Sequence, residues 1–203
     1  MTEPKQGLLT FRAEGNNIRG SKFYSRKIHF PENMKTCSGT LSGVTIGRGY
    51  DMGKRSESQV ISDLLFSGID INKAKLIAKG AGLIGCKAGE FVRKNRDEIG
   101  EITESQQVIL FEKIYPAYEI RARNNYNHWM RKYRNAKKWS ELSLPIKNVL
   151  VDFVYNGYTK SERPMLAGSN NNIKELILYI KSSPVLLSDE PGRNRISYLE
   201  GMQ

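Results

Sequence analysis

Four glycines fall within twelve residues, at positions 43, 47, 49 and 53 of the stretch SGVTIGRGYDMG, and they bracket the β-branched run Val44-Thr45-Ile46. Glycine reaches backbone conformations closed to other residues and weakens any helix it interrupts, so this stretch reads as strand and turn. Its surroundings agree. Residues 1–55 hold eight of the 18 glycines and show little helical periodicity after Glu14. IRGSKFYSRKIHF alternates loosely, and PENMK and CSGTLSG supply breakers, which predicts a short twisted antiparallel sheet or long hairpin between residues 18 and 50.

From Ser56 the pattern turns helical. Ser56-x-x-Gln59 is a capping box ahead of a stripe of Val60, Ile61, Leu64 and Leu65 that Gly68 ends, and a second helix is expected over residues 71–79. Short helical turns are expected around Ala88 to Lys94. Thr103-x-x-Gln106 repeats the capping signature before a helix that Pro116 is expected to kink or end. Pro145 suits a first helical turn, and Ile146, Val149, Leu150, Phe153 and Val154 form the most apolar helix in the chain, expected at the centre of the larger lobe. Another stripe runs Ile173, Leu176, Ile177, Ile180 and stops at Ser182-Ser183-Pro184, and residues 193–201 close the chain as a short helix. The expected plan is therefore α+β in one domain. Residues 1–55 make a small β-containing lobe, residues 56–203 a larger all-helical lobe, and a ligand is expected in the cleft between them.

At 203 residues the chain is long enough to bury a core, and no apolar run reaches the roughly 18 residues of a membrane span. The N-terminus lacks the basic start and apolar stretch of a secretory signal, so export is expected to use another route. The 32 Lys and Arg against 21 Asp and Glu leave a net charge of +11, which points to a polyanionic partner: nucleic acid, anionic membrane or acidic cell-wall polymer. Cations concentrate in RARNNYNHWMRKYRNAKKW, residues 121–139, among Tyr126, Trp129, Tyr133 and Trp139; this is read first as a solvated amphipathic helix. Cys37 and Cys86 fit no metal-ligand spacing, and one bridge or two free thiols both stand open.

Acids are scarce before Ser56. After Glu3 there are only Glu14, Glu32 and Asp51, and Glu32 sits in a solvated turn. Glu14 follows Leu8, Leu9 and Phe11 at the apparent end of a short helix, where the dipole disfavours a carboxylate. On its own it reads equally as an ordinary surface helix residue or as an acid kept protonated by a partly apolar cleft. Asp51 lies in backbone open to close approach, although alone it also reads as a turn or helix-entry residue, and Thr45, between two strand-forming neighbours, alone reads as a plain strand residue. An acid, a second carboxylate and a small hydroxyl suffice to hydrolyse a glycosidic bond, with a proton for the leaving oxygen and an oriented water opposite. The glycines would leave a bare wall for a sugar ring. The chain has no GxSxG, P-loop, HExxH or CxxC, so serine hydrolase, NTPase and zinc peptidase chemistry have no residues to stand on.

GVTIGRGYDMG, preceded by FRAEG, resembles the pesticin-like muramidases and, more distantly, the phage-type lysozymes; VDFVYNGY at 151–158 is a weaker match. That resemblance implies a two-lobed lysozyme-like fold and cleavage of the β-1,4 bond between N-acetylmuramic acid and N-acetylglucosamine, with no cofactor and no metal. It assigns Glu14 as the catalytic acid, Thr45 as the active-site threonine and Asp51 as the aspartate six residues beyond it. The phage pattern places the aspartate before the threonine, whereas this chain has none between Glu14 and Thr45, and inversion is the expected outcome. Tyr155 and Asn156 match a cleft-facing aromatic and amide pair, although Asn156 reads equally as a helix cap. Arg48, toward a muramyl carboxylate, and Tyr50, beneath Glu14, are further substrate-side candidates that read equally as structural residues. The implied partner is peptidoglycan, with room for an immunity protein. The implied protein is a monomer acting on the wall of target bacteria as toxin, effector or endolysin. Two rivals remain: a nucleic-acid binder using residues 121–139, and a wall-binding relative without catalysis.

Overall fold

A computed structural model describes residues 2–202. The chain is mostly helical with one two-stranded antiparallel sheet among the described residues, an α+β protein. It divides into two compact units. One comprises the residues up to Gln6 with Glu14–Ile114, the other Gly7–Ala13 with Tyr115 onward. The sequence had suggested a boundary near residue 55. Residues 56–114 instead join the glycine-rich segment, whose backbone they help to satisfy: Gly82 N–H donates to Met52 O at 3.0 Å, Gly85 N–H to Ser42 O at 2.9 Å, and Arg96 Nη1 to Ile28 O at 2.7 Å.

In the first unit, β1 (Thr45–Ile46) and β2 (Tyr50–Asp51) pair antiparallel, with Ile46 opposite Tyr50. The turn between them is Gly47-Arg48-Gly49, and both glycines lie in the left-handed region at φ 62° and 82°. The expected sheet over residues 18–50 is reduced to these strands and to isolated bridges such as Asn16 with Tyr24 and His29 with Thr45. Three helices follow: α2 (Glu57–Phe66), α3 (Ile71–Ala78) and α4 (Gly85–Ile99). Ser56 Oγ accepts from Gln59 N–H as the capping box predicts, and Asp70 caps α3. Where short turns were expected, α4 is 15 residues long. Its inner stripe is small, Gly85, Ala88, Gly89 and Val92, and an added Cβ at Gly89 would overlap Met34 Sδ. A Cys37–Cys86 disulfide ties the 3-10 turn at Cys37–Gly39 to the start of α4. The loop it closes, with a sequence separation of 49, removes conformational freedom from the unfolded chain worth about 4 kcal/mol by chain-entropy reasoning.

The long α5 (Glu104–Met130) opens on the second predicted cap: Thr103 Oγ1 accepts from Gln106 N–H, and Gln106 Oε1 accepts from Thr103 N–H. It continues through Pro116, which lacks the N–H for its turn, and the chain passes from one unit to the other at residues 114–115.

The second unit contains only helices among the described residues: α1 (Leu8–Ala13), the latter part of α5, α6 (Leu144–Tyr155), α7 (Glu162–Ala167), α8 (Ile173–Ser182), α9 (Pro184–Arg193) and α10 (Arg195–Glu200). As predicted, α6 is the apolar one, with Ile146, Val149, Leu150, Phe153 and Val154 fully buried, and α1, α7 and α10 pack on it. Its core also holds ions. Asp152 and Arg195 are wholly inaccessible; Asp152 accepts from Arg195 Nε at 2.6 Å, Arg193 Nη1 at 3.0 Å and Thr10 Oγ1 at 2.8 Å, and the Arg195 guanidinium lies 4.8 Å from the Phe153 ring centroid.

Candidate functional site

Three of the residues singled out from sequence, Glu14, Thr45 and Asp51, lie in the first unit. The spacing of Thr45 and Asp51 is explained by register: they are direct partners across the two-stranded sheet. The backbone of Thr45 exchanges both its hydrogen bonds with His29 on the other side, at 2.8 and 2.9 Å. Thr45 and Asp51 therefore form the close, non-hydrogen-bonded kind of pair, with Cα atoms about 4.5 Å apart and side chains on one face. His29, opposite Thr45 in an antiparallel bridge, shares that face. The result is a polar row, Asp51, Thr45, His29.

The Asp51 carboxylate is oriented by backbone. Oδ2 accepts from Gly43 N–H at 3.0 Å and Oδ1 from Gly53 N–H at 2.6 Å. An added Cβ at Gly43 would overlap Asp51 Oδ1 and Gly53 N, and one at Gly53 would lie 3.0 Å from the same oxygen. These two glycines thus make room for the carboxylate itself, a more specific use than the bare wall expected from the sequence. The half-buried Asp51 keeps lone pairs beyond those two bonds. Thr45 is buried, and its hydroxyl donates to Gly43 O at 3.3 Å.

Glu14 immediately follows α1 and is half-buried. The chain beyond it is laced to the hairpin. Asn16 N–H donates to Phe23 O at 2.9 Å, Ser25 N–H to Asn16 O at 3.1 Å, and Gly47 N–H to Ser25 O at 2.8 Å. Gly15 permits this approach, since an added Cβ there would lie 2.8 Å from Phe23 O, and its φ of 142° is hostile to other residues. Side chains reinforce it: Ser25 Oγ donates to Gln107 Oε1 at 2.6 Å, and Gln107 Nε2 to Asn17 Oδ1 at 3.0 Å.

Arg48 completes the lacing. It projects from the turn of the hairpin, only 6% exposed, and donates from Nη1 to Gly15 O and from Nη2 to Asn17 Oδ1 at 3.2 Å. Burial lowers its pKa to about 10, against the pull of the Glu14 and Glu104 carboxylates, so it remains a cation at neutral pH. The group electrostatically beside Glu14 is thus a guanidinium, where the sequence suggests a partly apolar cleft, and Arg48 is engaged with the protein's own chain. Tyr50 is wholly buried, and its hydroxyl donates to Asp63 Oδ2 at 2.7 Å while Arg55 covers its ring at 4.5 Å. Burial raises its pKa far above the usual phenol range. It is a strut between hairpin and α2.

Tyr155 and Asn156 belong to the second unit. Tyr155 lies against Tyr118 with ring centroids 4.1 Å apart. Asn156 caps α6, donating to Asp189 Oδ2 at 3.0 Å and accepting from Arg193 Nη2 at 2.8 Å. Both arms of its amide therefore serve the unit's own framework.

His29 was not picked out from sequence. Burial pushes its pKa below the ordinary histidine range, assisted by Arg96 and opposed by the Lys27 carbonyl and Asp51. Nδ1 lies 3.1 Å from Lys27 O. Its signal was only a loose alternation in KIHF, and no local pattern pairs position 29 with position 45. No group of His, Cys, Asp and Glu among the described residues is arranged to hold a metal ion.

No curated protein matches this chain. The family described as "Domain of unknown function (DUF8812)" matches residues 7–188, nearly the whole chain, and the protein belongs to that family.

Proposed function

We propose that the protein is a muramidase of lysozyme-like fold, a glycoside hydrolase that cleaves the β-1,4 bond between N-acetylmuramic acid and N-acetylglucosamine in peptidoglycan. The observation that carries this reading is the register of Thr45 opposite Asp51, on a hairpin whose turn residue Arg48 is fastened beside Glu14. Glu14 donates its proton to the glycosidic oxygen as the bond from C1 breaks. Asp51, its carboxylate aimed by Gly43 and Gly53, accepts a proton from the water whose oxygen attacks C1, and the configuration inverts. Thr45, its hydroxyl proton directed to Gly43 O, offers lone pairs to that water. Neutral His29 flanks Thr45 and helps to fix the water's position.

The disulfide supports a site of action outside a reducing cytoplasm, as expected for an enzyme of the bacterial wall. No helix among the described residues is long and apolar enough to cross a membrane. The charge of +11 supports attraction to an anionic wall, weakening as salt rises.

Clearing of a purified peptidoglycan suspension tests the proposal. Wild type is expected to clear it, while Glu14→Gln and Asp51→Asn each lose about 100-fold or more, the scale of general acid and base contributions. Asp51→Asn also loses some stability, since its NH2 would face one of the two backbone N–H donors, and thermal melts establish that both variants are folded at the assay temperature. Wild-type rates in both variants would refute it.

A further inference from the structure

Residues 121–139 contain seven Lys and Arg and no acid, a pattern that by itself suggests a solvated amphipathic helix. The structure gives them a shape. Helix α5 ends at Met130, residues 131–138 turn back across its end, and the two segments enclose a groove of ≈610 Å3 within the second unit. Its rim carries Asn124, Asn127, His128, Arg131, Lys137 and Lys138, all exposed, and no acidic residue lines it. The floor is rigid. Tyr126, 1% exposed, donates its hydroxyl to Lys137 O at 2.6 Å and meets Trp139 edge-on at 5.5 Å.

We infer that this groove binds an anionic glycan, a sugar polymer bearing carboxylates, as a second contact with the wall polymer away from the residues of the proposed reaction. The cations match carboxylates, and the amides of Asn124 and Asn127 offer donors and acceptors to hydroxyl or acetamido groups. Single-stranded nucleic acid fits less well because its binders stack bases on accessible aromatic faces. Here Tyr126 is buried, and Trp129 is flanked by His128 at 4.8 Å and by Lys132 at 5.1 Å. The identity of the polymer depends on the proposed muramidase activity; the preference for polyanionic sugar does not.

Binding of a fluorescent oligogalacturonate, which carries carboxylates but no muramyl bond, tests the groove directly in the full chain. Wild type is expected to bind it with affinity falling as salt rises, and Arg131→Glu/Lys137→Glu/Lys138→Glu to lose at least tenfold. Neutral chito-oligosaccharide binding should be equal in both proteins. The milder Arg131→Gln/Lys137→Gln/Lys138→Gln variant should show an intermediate loss, and matched thermal melts establish that each variant is folded. Equal oligogalacturonate binding by all three proteins overturns the inference, as does an oligonucleotide bound more tightly than the uronate and lost with the same substitutions. Co-sedimentation with purified sacculi in the Glu14→Gln background separates this from failure of the muramidase reading. Retention that depends on the groove supports the site even if wild type releases no sugar ends. Cleavage that needs Glu14, with retention indifferent to the groove, removes the site and leaves the enzyme.

Discussion

The two units reach order by different means. The second is built around an apolar helix, with α1, α7 and α10 packed on α6, the Asp152–Arg195 pair closed inside and Arg193 reaching Asp152 from a half-buried position. The first has two strands of two residues each, and holds its glycine-rich segment by backbone hydrogen bonds, a disulfide, buried Arg48 and the Tyr50–Asp63 bond. A core of interdigitating apolar groups tolerates small shifts, whereas a carboxylate aimed by two particular N–H groups does not. The candidate chemistry lies in the unit whose polar directions are individually specified. In the other unit the polar groups at the end of α6 serve its own framework, as both arms of Asn156 show.

Substitutions can set these two kinds of order apart. The largest effect is expected from Asp152→Asn, which removes the carboxylate shared by buried Arg195 and half-buried Arg193, leaves Arg195 only Glu190 at 3.9 Å, and should cost about 3–5 kcal/mol. Trp129 and Trp139 both lie in the second unit, so urea unfolding followed by their fluorescence reads this directly. Cys37→Ser/Cys86→Ser should cost about 2–4 kcal/mol, seen as faster proteolysis within residues 30–41 and a smaller shift of the tryptophan transition. An equal shift of that transition would erase the distinction between the units.

Arg48→Lys keeps the charge and loses the fork that spans Gly15 and Asn17. A displacement of Glu14 by a fraction of an ångström should lower kcat on the order of tenfold with KM nearly unchanged. A pure KM effect would make Arg48 a substrate contact instead. The smallest effect concerns His29. Its folded pKa lies below the unfolded value of 6.5, so the unfolded chain binds more protons as pH falls through that range, and stability falls with it. Denaturation midpoints at pH 7.5 and 5.5 should differ more in wild type than in His29→Gln, and identical differences would remove the buried imidazole from the account.

The parts of this fold legible in the sequence were local. Ser56 with Gln59 and Thr103 with Gln106 announced two helix starts because a cap and its partner are three residues apart, and the stripe of α6 showed in its own spacing. Helix α4 was underestimated because its inner face is small: Gly85, Ala88 and Gly89 suit contact with Met34 and Cys37, which lie some fifty residues earlier. Helix α9 does not show in the sequence because Ser182-Ser183-Pro184 reads as a stop, although Pro184 occupies the first turn of the next helix. In the site, Thr45 and Asp51 stood out because a tight hairpin keeps partners close in sequence. His29 and the Arg48–Gly15 contact did not, because each joins segments that only the folded chain brings together.

Mass spectrometry of muropeptides after digestion of purified peptidoglycan tests the central claim most directly. Wild type should yield fragments ending in reducing N-acetylmuramic acid, and neither Glu14→Gln nor Asp51→Asn should yield them. Anhydromuramyl ends, cleaved peptide stems with intact glycan, or an undiminished yield from Asp51→Asn would contradict it.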